Sequence, residues 1–409
     1  MKLEAFPLEF QGAMPILRKL QSAGYEAYYV GGSVRDILLN KPIHDVDIAT
    51  SAFPAEVKEL FHRTIDVGID HGTVMVITKE ATYEVTTFRT ESTYQDYRRP
   101  DHVEFVRSLK EDLKRRDFTI NALAVGIDGT VIDLFDGLED LRNKVLRAVG
   151  NPYERFHEDA LRMMRALRFV SHLGFTLEPN TFEAIQEYHS LLAKISVERI
   201  NVEFVKFMMG SFRSAGLRSF VESECYIYCP GLRNYGEALL NFAELHGPAI
   251  PTERQAWTLL MTMLELTISD IRNLMKEWKC SNQLIKEVTQ MVPALRFRLK
   301  AEWDNWSLYQ LGRELALSVE YLLYYFDREP NLAKIRLLYQ YLPIHSLKEL
   351  AVKGNEVMEH FTYRRGPWIS ETLHTLEQEV VEGRLKNEKA ELLAFADQFL
   401  KANSSLFNS

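Results

Sequence analysis

Hydrophobic and polar positions change their period near residue 150. Before that point, short runs rich in Val, Ile, Thr and aromatic residues recur: YEAYYV (25–30), TVMVIT (73–78), TYEVTTF (82–88), HVEFV (102–106) and ALAVGI (122–127). Each is bounded by Gly, Asp or charged residues, which predicts strands. Helical spacing occupies 12–22 and 54–62, so this region reads as a mixed α/β unit built around one sheet. Beyond 150, Leu, Met and Phe return every three or four residues over 153–172, 197–210, 253–268, 282–298 and 384–401. Gly- and Pro-containing breaks fall near 174–180, 229–236, 247–252 and 366–367. The expected architecture is α/β followed by all-α.

The richest chemistry lies in YYVGGSVRDILLNKPIHDVDIAT (28–50). A predicted strand runs into Gly31, Gly32 and Ser33, where a helix begins. Glycines at such a turn let backbone N–H groups approach a phosphate, and Ser33 and Arg35 add a hydroxyl and a guanidinium. Asp45 and Asp47 then flank Val46 at the start of the next strand. Residues two apart share a strand face, so the two carboxylates converge and call for a cation between them. Beside a phosphate cradle the fitting cation is Mg²⁺, and the fitting chemistry is metal-assisted phosphoryl transfer. Asp-x-Asp alone is common at solvated strand edges. Its order and spacing after the glycine turn resemble the nucleotidyltransferase superfamily that includes DNA polymerase β. Glu84 is the candidate third carboxylate of a metal site, although an outward-facing strand Glu reads equally well.

Two further stretches extend the site. LKRRDFTINALAV (113–125) sets Arg115, Arg116 and Asp117 at an expected helix start, with Asn121 on the face of Asp117. A carboxylate and an amide there suit ribose hydroxyls, and Arg116 suits phosphate or ribose; a charged, N-capped surface helix has the same pattern. In HEDALRMMRALRF (157–169), a continuous helix puts Arg155, Glu158, Arg162, Arg165 and Phe169 on one side, with Asp159 adjoining. Ala160, Met163, Met164 and Leu167 fall on the core side. A salt-bridged amphipathic helix explains that pattern too. The sharper reading pairs Asp159 and Arg162 with the Watson–Crick edge of a base. The Asp accepts from the amino group of cytosine or adenine, and the Arg donates to their ring acceptors. Uracil and guanine would leave these groups unpaired, at several kcal/mol by order of magnitude.

Together GGSVRD…DVDIATSA, RRDFTINALA and EDALRMMRALRF resemble the successive motifs of class II tRNA nucleotidyltransferases, the bacterial-type CCA-adding enzymes. ISVERINVEFVKF (195–207) resembles that family's further helical motif, FDGLEDLRNKVLRAVG (135–150) its head–neck connector, and RRGPWISETLHTLEQEVVEGRLKNEKAEL (364–392) its tail. The resemblance implies a nucleotidyltransferase head over 1–150, a helical neck that recognises the base over 151–210, a helical body over 211–300 and a tRNA-binding tail over 301–409. It implies addition of CCA to the tRNA 3′ end from CTP and ATP, with recognition of the acceptor and TΨC arms. Asp45 and Asp47 would bind Mg²⁺, and Gly32, Ser33 and Arg35 the triphosphate. Arg116, Asp117 and Asn121 would hold the ribose, and Asp159 and Arg162, joined by Arg165 and Arg168, the base.

Composition narrows the alternatives. The 409 residues are 46% hydrophobic and 26% charged, in the globular range, with no apolar run of membrane-spanning length. Glu4 and Glu9 stand where a signal peptide needs an apolar stretch, and three cysteines make no disulfide framework, so a cytoplasmic protein is expected. A net charge of −8 and the lack of a long basic extension fit poorly with a bacterial poly(A) polymerase, which shares the head motifs. A partial CC- or A-adding enzyme stays open. TESTYQDYRRPDH (90–102) resembles the flexible loop needed for terminal A addition, and an inert connector has the same composition. An inactive RNA-binding protein on the same scaffold would be expected to have lost a carboxylate of the Asp45/Asp47 pair. The only His-Asp dipeptide, His44-Asp45, lies inside the catalytic motif, so an added phosphohydrolase activity is not expected. Cys225 and Cys229 have no partner pair at zinc spacing. His71 and His102 read as surface or loop residues. Lys110, Lys114, Arg115, Arg364 and Arg365 read as phosphate contacts or solvated charges alike. Tyr321, Tyr324 and Tyr325 read as packing.

Overall fold

The structure is a computed structural model that describes residues 1–68, 71–91, 94–95, 99–100, 103–361 and 366–402. The chain divides into two compact units. The first comprises 1–244 with 248–250 and 277–279; the second comprises 245–247, 251–276 and 280–409.

The first unit is built on a seven-stranded mixed sheet. In spatial order its strands are Val131–Asp133, Leu123–Val125, Ala27–Val30, Asp47–Thr50, Thr82–Thr87, Thr73–Ile77 and Thr64–Gly68. All neighbours are antiparallel except Asp47–Thr50 and Thr82–Thr87, which run parallel. One face carries a core of Val30, Ala49, Phe88, Leu109, Leu113, Ala122, Ala124 and Val149. The expected helix at 12–22 is Leu8–Ser22, and Phe10 on it stacks on Tyr29 with ring centroids 4.3 Å apart. The Tyr29 hydroxyl donates to the Phe10 carbonyl at 2.7 Å, so the buried phenol keeps a partner.

Two edge strands, Thr64–Gly68 and Val131–Asp133, are absent from the hydrophobic pattern. TIDVG is half-buried or exposed throughout, so neither of its faces imposes an alternation. Asp47 opens its strand, and Asp45 lies just before it rather than within it.

Two helical expectations are corrected. The helix before Arg115 ends there: Leu109–Lys114 is α-helical, Arg115 caps its C-terminus, and Thr119–Asn121 forms a separate 3₁₀ turn. Burial of Phe118 drives that break, since its backbone bridges Ala148 in extended conformation. The stretch 153–172 is likewise two helices, Pro152–Glu158 and Leu161–Leu173, with Asp159 extended at the joint (φ −135°, ψ 101°). The Asp159 carboxylate accepts from the Leu161 N–H at 3.1 Å, giving the new helix an acceptor that a continuous helix would not need. The predicted inner face survives the break, with Ala160, Met163, Met164 and Leu167 fully buried. Helix Leu161–Leu173 packs closely on Val197–Met209: the Ser171 hydroxyl donates to the Phe207 carbonyl at 2.5 Å. A Cβ on Gly210 would stand 2.4 Å from the Ser171 carbonyl oxygen, so only glycine fits there.

The second unit is helical. Its helices include Glu253–Met263, Asn282–Arg298, Arg313–Tyr321, Trp368–Val381 and Lys389–Ala402. The first two and the last match the expected segments, the last beginning five residues later than the periodicity. Tyr325 is buried as expected, whereas Tyr324 is exposed. Arg364 and Arg365 lie outside the described residues.

Glu320 is fully buried in this unit, with every contact polar and complementary. Arg298 donates to both of its oxygens at 2.9 and 3.3 Å, Trp303 Nε1 at 2.9 Å and the Asn331 N–H at 3.0 Å. Glu320→Ala removes the acceptor of Trp303 and the Asn331 N–H and leaves Arg298 only the exposed Glu302, at 3.2 Å, as an ion-pair partner among the described residues, so it is expected to destabilise the unit by about 3–5 kcal/mol. Urea unfolding followed by tryptophan fluorescence, to which Trp303 contributes, measures it.

Candidate active site

The candidate site is a cleft of about 840 Å³ in the first unit. It takes in the turn Gly31–Ser33 with Arg35, the carboxylates Asp45, Asp47 and Glu84, Arg116 with Asp117 and Asn121, and Asp159, Arg162, Arg165 and Arg168. All thirteen sequence-predicted site residues therefore line one cavity, of a size that suits a nucleotide.

Its floor is the parallel strand pair. Asp47 is in register with Glu84 across that pair, which puts both carboxylates on one sheet face. Val46 is buried between the exposed Asp45 and the half-buried Asp47, so the two carboxylates lie away from the core side that Val46 takes. The Asp47 carboxyl is pushed above the usual carboxylate range by its burial and by Glu84. Arg116 opposes that shift and Asp45 adds to it. Among the described residues no group of three or more His, Cys, Asp or Glu is disposed to hold an ion. Two hard oxygen donors still fit a divalent cation whose other ligands are water and substrate phosphate. Glu84, in register with Asp47, adds negative potential to the cluster.

Gly31 holds the turn at φ 75°, ψ −142°, a conformation close to glycine-only. A Cβ there would stand 3.1 Å from Asp47 Oδ2 and 3.4 Å from Arg116 Nη1. Gly31→Ala is therefore expected to lose about 1–3 kcal/mol of stability and most of the activity; thermal melts and turnover measure the two effects. Ser33 is buried and its hydroxyl donates to the Val30 carbonyl at 3.0 Å. In this state it offers a ligand only lone pairs.

The arginines sit in a network of acids. Arg35 donates to Asp36 through Nε and Nη2, and its Nη1 reaches Asn121 Oδ1 at 2.8 Å. The Asn121 amide in turn donates to Asp117 Oδ1 at 3.0 Å. Asn121 thus brackets Arg35 to Asp117 and has both ends of its amide engaged. The predicted Asp117–Asn121 contact is present, though it is made through the 3₁₀ turn. Arg165 grips Asp117 Oδ2 with Nε at 2.8 Å and Nη2 at 2.5 Å. Burial alone would raise the Asp117 carboxyl, but Arg165 and Asn121 outweigh it and hold it at about 2. Arg115 and Arg116 both pair with the buried Asp112, at 2.7 and 3.0 Å. Glu203 binds Arg168 at 2.5 Å and Arg165 at 3.5 Å.

Asp159 and Arg162 are each anchored by neighbouring residues. Asp159 Oδ2 accepts from Arg199 Nη2 at 2.8 Å. Arg162 donates to Glu158 at 2.8 Å and to the Arg115 carbonyl at 3.0 Å. The guanidinium of Arg168 stacks over Phe169, 4.2 Å from the ring centroid.

Sequence reasoning assigned no role to Asp112, Arg199, Glu203 or Lys206. Asp112 stands three and four residues before Arg115 and Arg116, a spacing that carries the signal. Arg199 and Glu203 are four apart and read as an ordinary surface pair, while their observed partners are about forty residues away in sequence. His71 lines the cleft and its carbonyl accepts from Arg89. His102, together with residues 92–93, 96–98 and 101 of the predicted loop, lies outside the described residues. Lys110 and Lys114 are exposed. Cys225 and Cys229 are buried free thiols, and burial pushes Cys225 up to about 12.

The mixed sheet with its glycine turn and paired aspartates defines a nucleotidyltransferase head, and residues 27–147 match the family model described as "Poly A polymerase head domain". Residues 249–396 match a model described as "tRNA nucleotidyltransferase domain 2". The CCA-adding enzyme of Enterococcus faecalis is 57% identical over 97% of this chain and 98% of its own length. That of Ligilactobacillus salivarius is 48% identical over 98% and 99%. A crystal structure of the Bacillus stearothermophilus CCA-adding enzyme in complex with CTP superposes with a TM-score of 0.91. It is 42% identical, covering 98% of this chain and all of the other. The chain belongs to the family of CCA-adding enzymes, as its motifs predict.

Proposed function

We propose that this protein adds CCA to the 3′ end of tRNA, taking CTP and ATP and releasing pyrophosphate, with Mg²⁺ as its cation. The observation that carries the reading is the gathering of the glycine turn, the Asp45/Asp47 pair and the Asp159/Arg162 pair around one cleft.

Asp45 and Asp47 would hold the cation, which would supply Lewis-acid activation of the tRNA 3′-hydroxyl and offset charge developing on the α-phosphate. The turn at Gly32, with Ser33 and Arg35, binds the triphosphate, and Arg35 keeps it in line for displacement. Arg116 and Asp117 take the ribose, and Asn121 fixes both the Asp117 carboxylate and Arg35. Asp159 accepts from the amino group of cytosine or adenine while Arg162 donates to the ring acceptor, so no template is needed. Arg165 and Arg168 support this edge through Asp117 and Glu203.

The division into head (1–150), neck (151–210), body (211–300) and tail (301–409) belongs to the same reading, with body and tail meeting the acceptor and TΨC arms by shape. Among the described residues no helix is long and apolar enough to cross a membrane. The three free thiols suit a reducing compartment, the cytoplasm. A poly(A) polymerase shares the head, so what separates the readings is the likeness to CCA-adding enzymes along nearly the whole chain.

The test incubates a tRNA transcript lacking its 3′ CCA with Mg²⁺ and each NTP, singly and combined. Growth by CCA and a stop, requiring both CTP and ATP, is the expected result. Arrest after CC would mean a CC-adding enzyme, and A addition restricted to a transcript already ending in CC an A-adding one. A ladder from ATP alone would mean a poly(A) polymerase. No extension would favour an RNA-binding protein.

A further inference from the structure

We propose that Arg199 is the positioning residue for base selection: it sets the direction in which Asp159 presents its carboxylate to the incoming base. This rests on the reading of Asp159 as the base-edge acceptor and goes beyond it.

Asp159 occupies a joint between two helices, where the backbone is extended and gives the side chain no helical rotamer constraint. Two contacts replace that constraint. The Leu161 N–H takes Oδ1 at 3.1 Å, and Arg199 Nη2 takes Oδ2 at 2.8 Å. The first fixes the carboxylate to its own helix. The second ties it to Val197–Met209, a separate helix packed on Leu161–Leu173, and so fixes the plane in which its lone pairs point. A base edge is read within a few tenths of an ångström, so an acceptor free to rotate would hold the amino group of cytosine or adenine less firmly and could swing away from the carbonyl of uracil or guanine, which narrows the margin between right and wrong bases. Arg199 does not itself line the cleft, which makes a direct contact with the base the less economical account.

The guanidinium is incompletely used. Arg199 Nη1 is buried with no hydrogen-bond partner among the described residues, unlike the fully engaged acid Glu320. A fold does not gain from leaving a buried donor unmet. Loss of Arg199 removes that unmet donor along with the ion pair, and Asp159 is open enough to the cleft to take up water (side chain 18% exposed). Base selection should therefore be far more sensitive to Arg199 than stability is.

The experiment measures kcat/KM for CTP against UTP on a tRNA transcript lacking its 3′ CCA, and for ATP against GTP on one ending in CC. It uses the full chain and Arg199→Ala, Arg199→Lys, Asp159→Ala and the double variant Arg199→Ala/Asp159→Ala. Arg199→Ala is expected to lower both selectivities at least tenfold. Inhibition by pyrophosphate, which reads the triphosphate pocket and not the base, should stay unchanged. Arg199→Lys, which keeps a cation of nearly the same reach, should recover part of the loss. The double variant should be no less selective than Asp159→Ala, because both changes remove one device. Full selectivity in Arg199→Ala beside eroded selectivity in Asp159→Ala overturns the positioning role alone. Full selectivity in Asp159→Ala overturns the base-reading role beneath it. Should Arg199→Ala fail to fold, Arg199→Gln carries the same test: it keeps a donor without the charge or the reach, and undiminished selectivity there overturns the proposal.

Discussion

Asp47→Asn is expected to leave the protein folded and to slow nucleotide transfer by about a thousandfold or more, on the order of 4 kcal/mol in the barrier. Asn keeps the size and one acceptor oxygen but removes the charge that fixes the cation, which nothing else on its strand replaces. The same substitution should act oppositely on the metal-free fold. Burial, and then Glu84, raise the Asp47 carboxyl above its ordinary value of 3.8, with Arg116 only partly offsetting them. A carboxyl with a raised folded-state value binds its proton more tightly folded than unfolded. Its stabilising contribution is thus present at low pH and lost as pH rises through the folded value. At neutral pH the ionised group strains the site, and Asn relieves that strain. In EDTA the variant should melt at a higher temperature than the parent at pH 7, the difference vanishing well below pH 4. Transfer at the parent's rate would remove Asp47 from its assigned place.

How local a feature's geometry is decides whether it can be read in the sequence. Asp45, Asp47 and the Gly31 turn are local: two residues of strand alternation and one of left-handed backbone set their geometry, so their spacing in the chain suffices. The inner face of Leu161–Leu173 was legible for the same reason, since its apolar period survives whatever the neighbouring backbone does. What was not legible depends on distant partners. The joint at Asp159 breaks a pattern that continues undisturbed in periodicity, because its partner Arg199 stands forty residues later. The turn at Arg115–Asp117 reads as a helix start from its charges, yet Phe118 must reach the core and bridge Ala148, and burial of that ring overrides the local preference. The strand Thr64–Gly68 is silent because it is wet on both faces.

A second consequence follows from the way the acids are used. Asp36, Asp112, Glu158 and Glu203 each hold an arginine that also lines the cleft, so a protein of net charge −8 can still line this cleft with cations. These pairs give the guanidinium groups fixed directions before substrate arrives, which lowers the reorganisation needed on binding. Overall charge therefore says little about the lining of the cleft, and the acidic total is a weaker argument against a poly(A) polymerase than the sequence alone suggests.

Asp117→Ala should be the most damaging change to this network. It removes the acceptor of Arg165, the Asn121 amide and the Phe118 N–H at once. Among the described residues Arg165 then keeps a 3.5 Å contact to Glu203 as its ion pair. Breaking a buried, hydrogen-bonded pair in this way is expected to cost about 3–5 kcal/mol. The proton linkage accounts for part of that. With the carboxyl held at about 2 against an ordinary 3.8, its ionised form contributes about 2 kcal/mol, present above pH 4 and lost as pH falls through 2. The parent should therefore lose stability on acidification through that window more steeply than Asp117→Ala, which has no such group to titrate. Asp117→Asn separates structure from recognition. It keeps the acceptor oxygen for Asn121 but weakens the grip of Arg165, so it should fold while discriminating poorly between NTP and dNTP. Equal preference for ribose in Asp117→Asn and in the parent would mean that Asp117 braces Arg165 without touching the sugar.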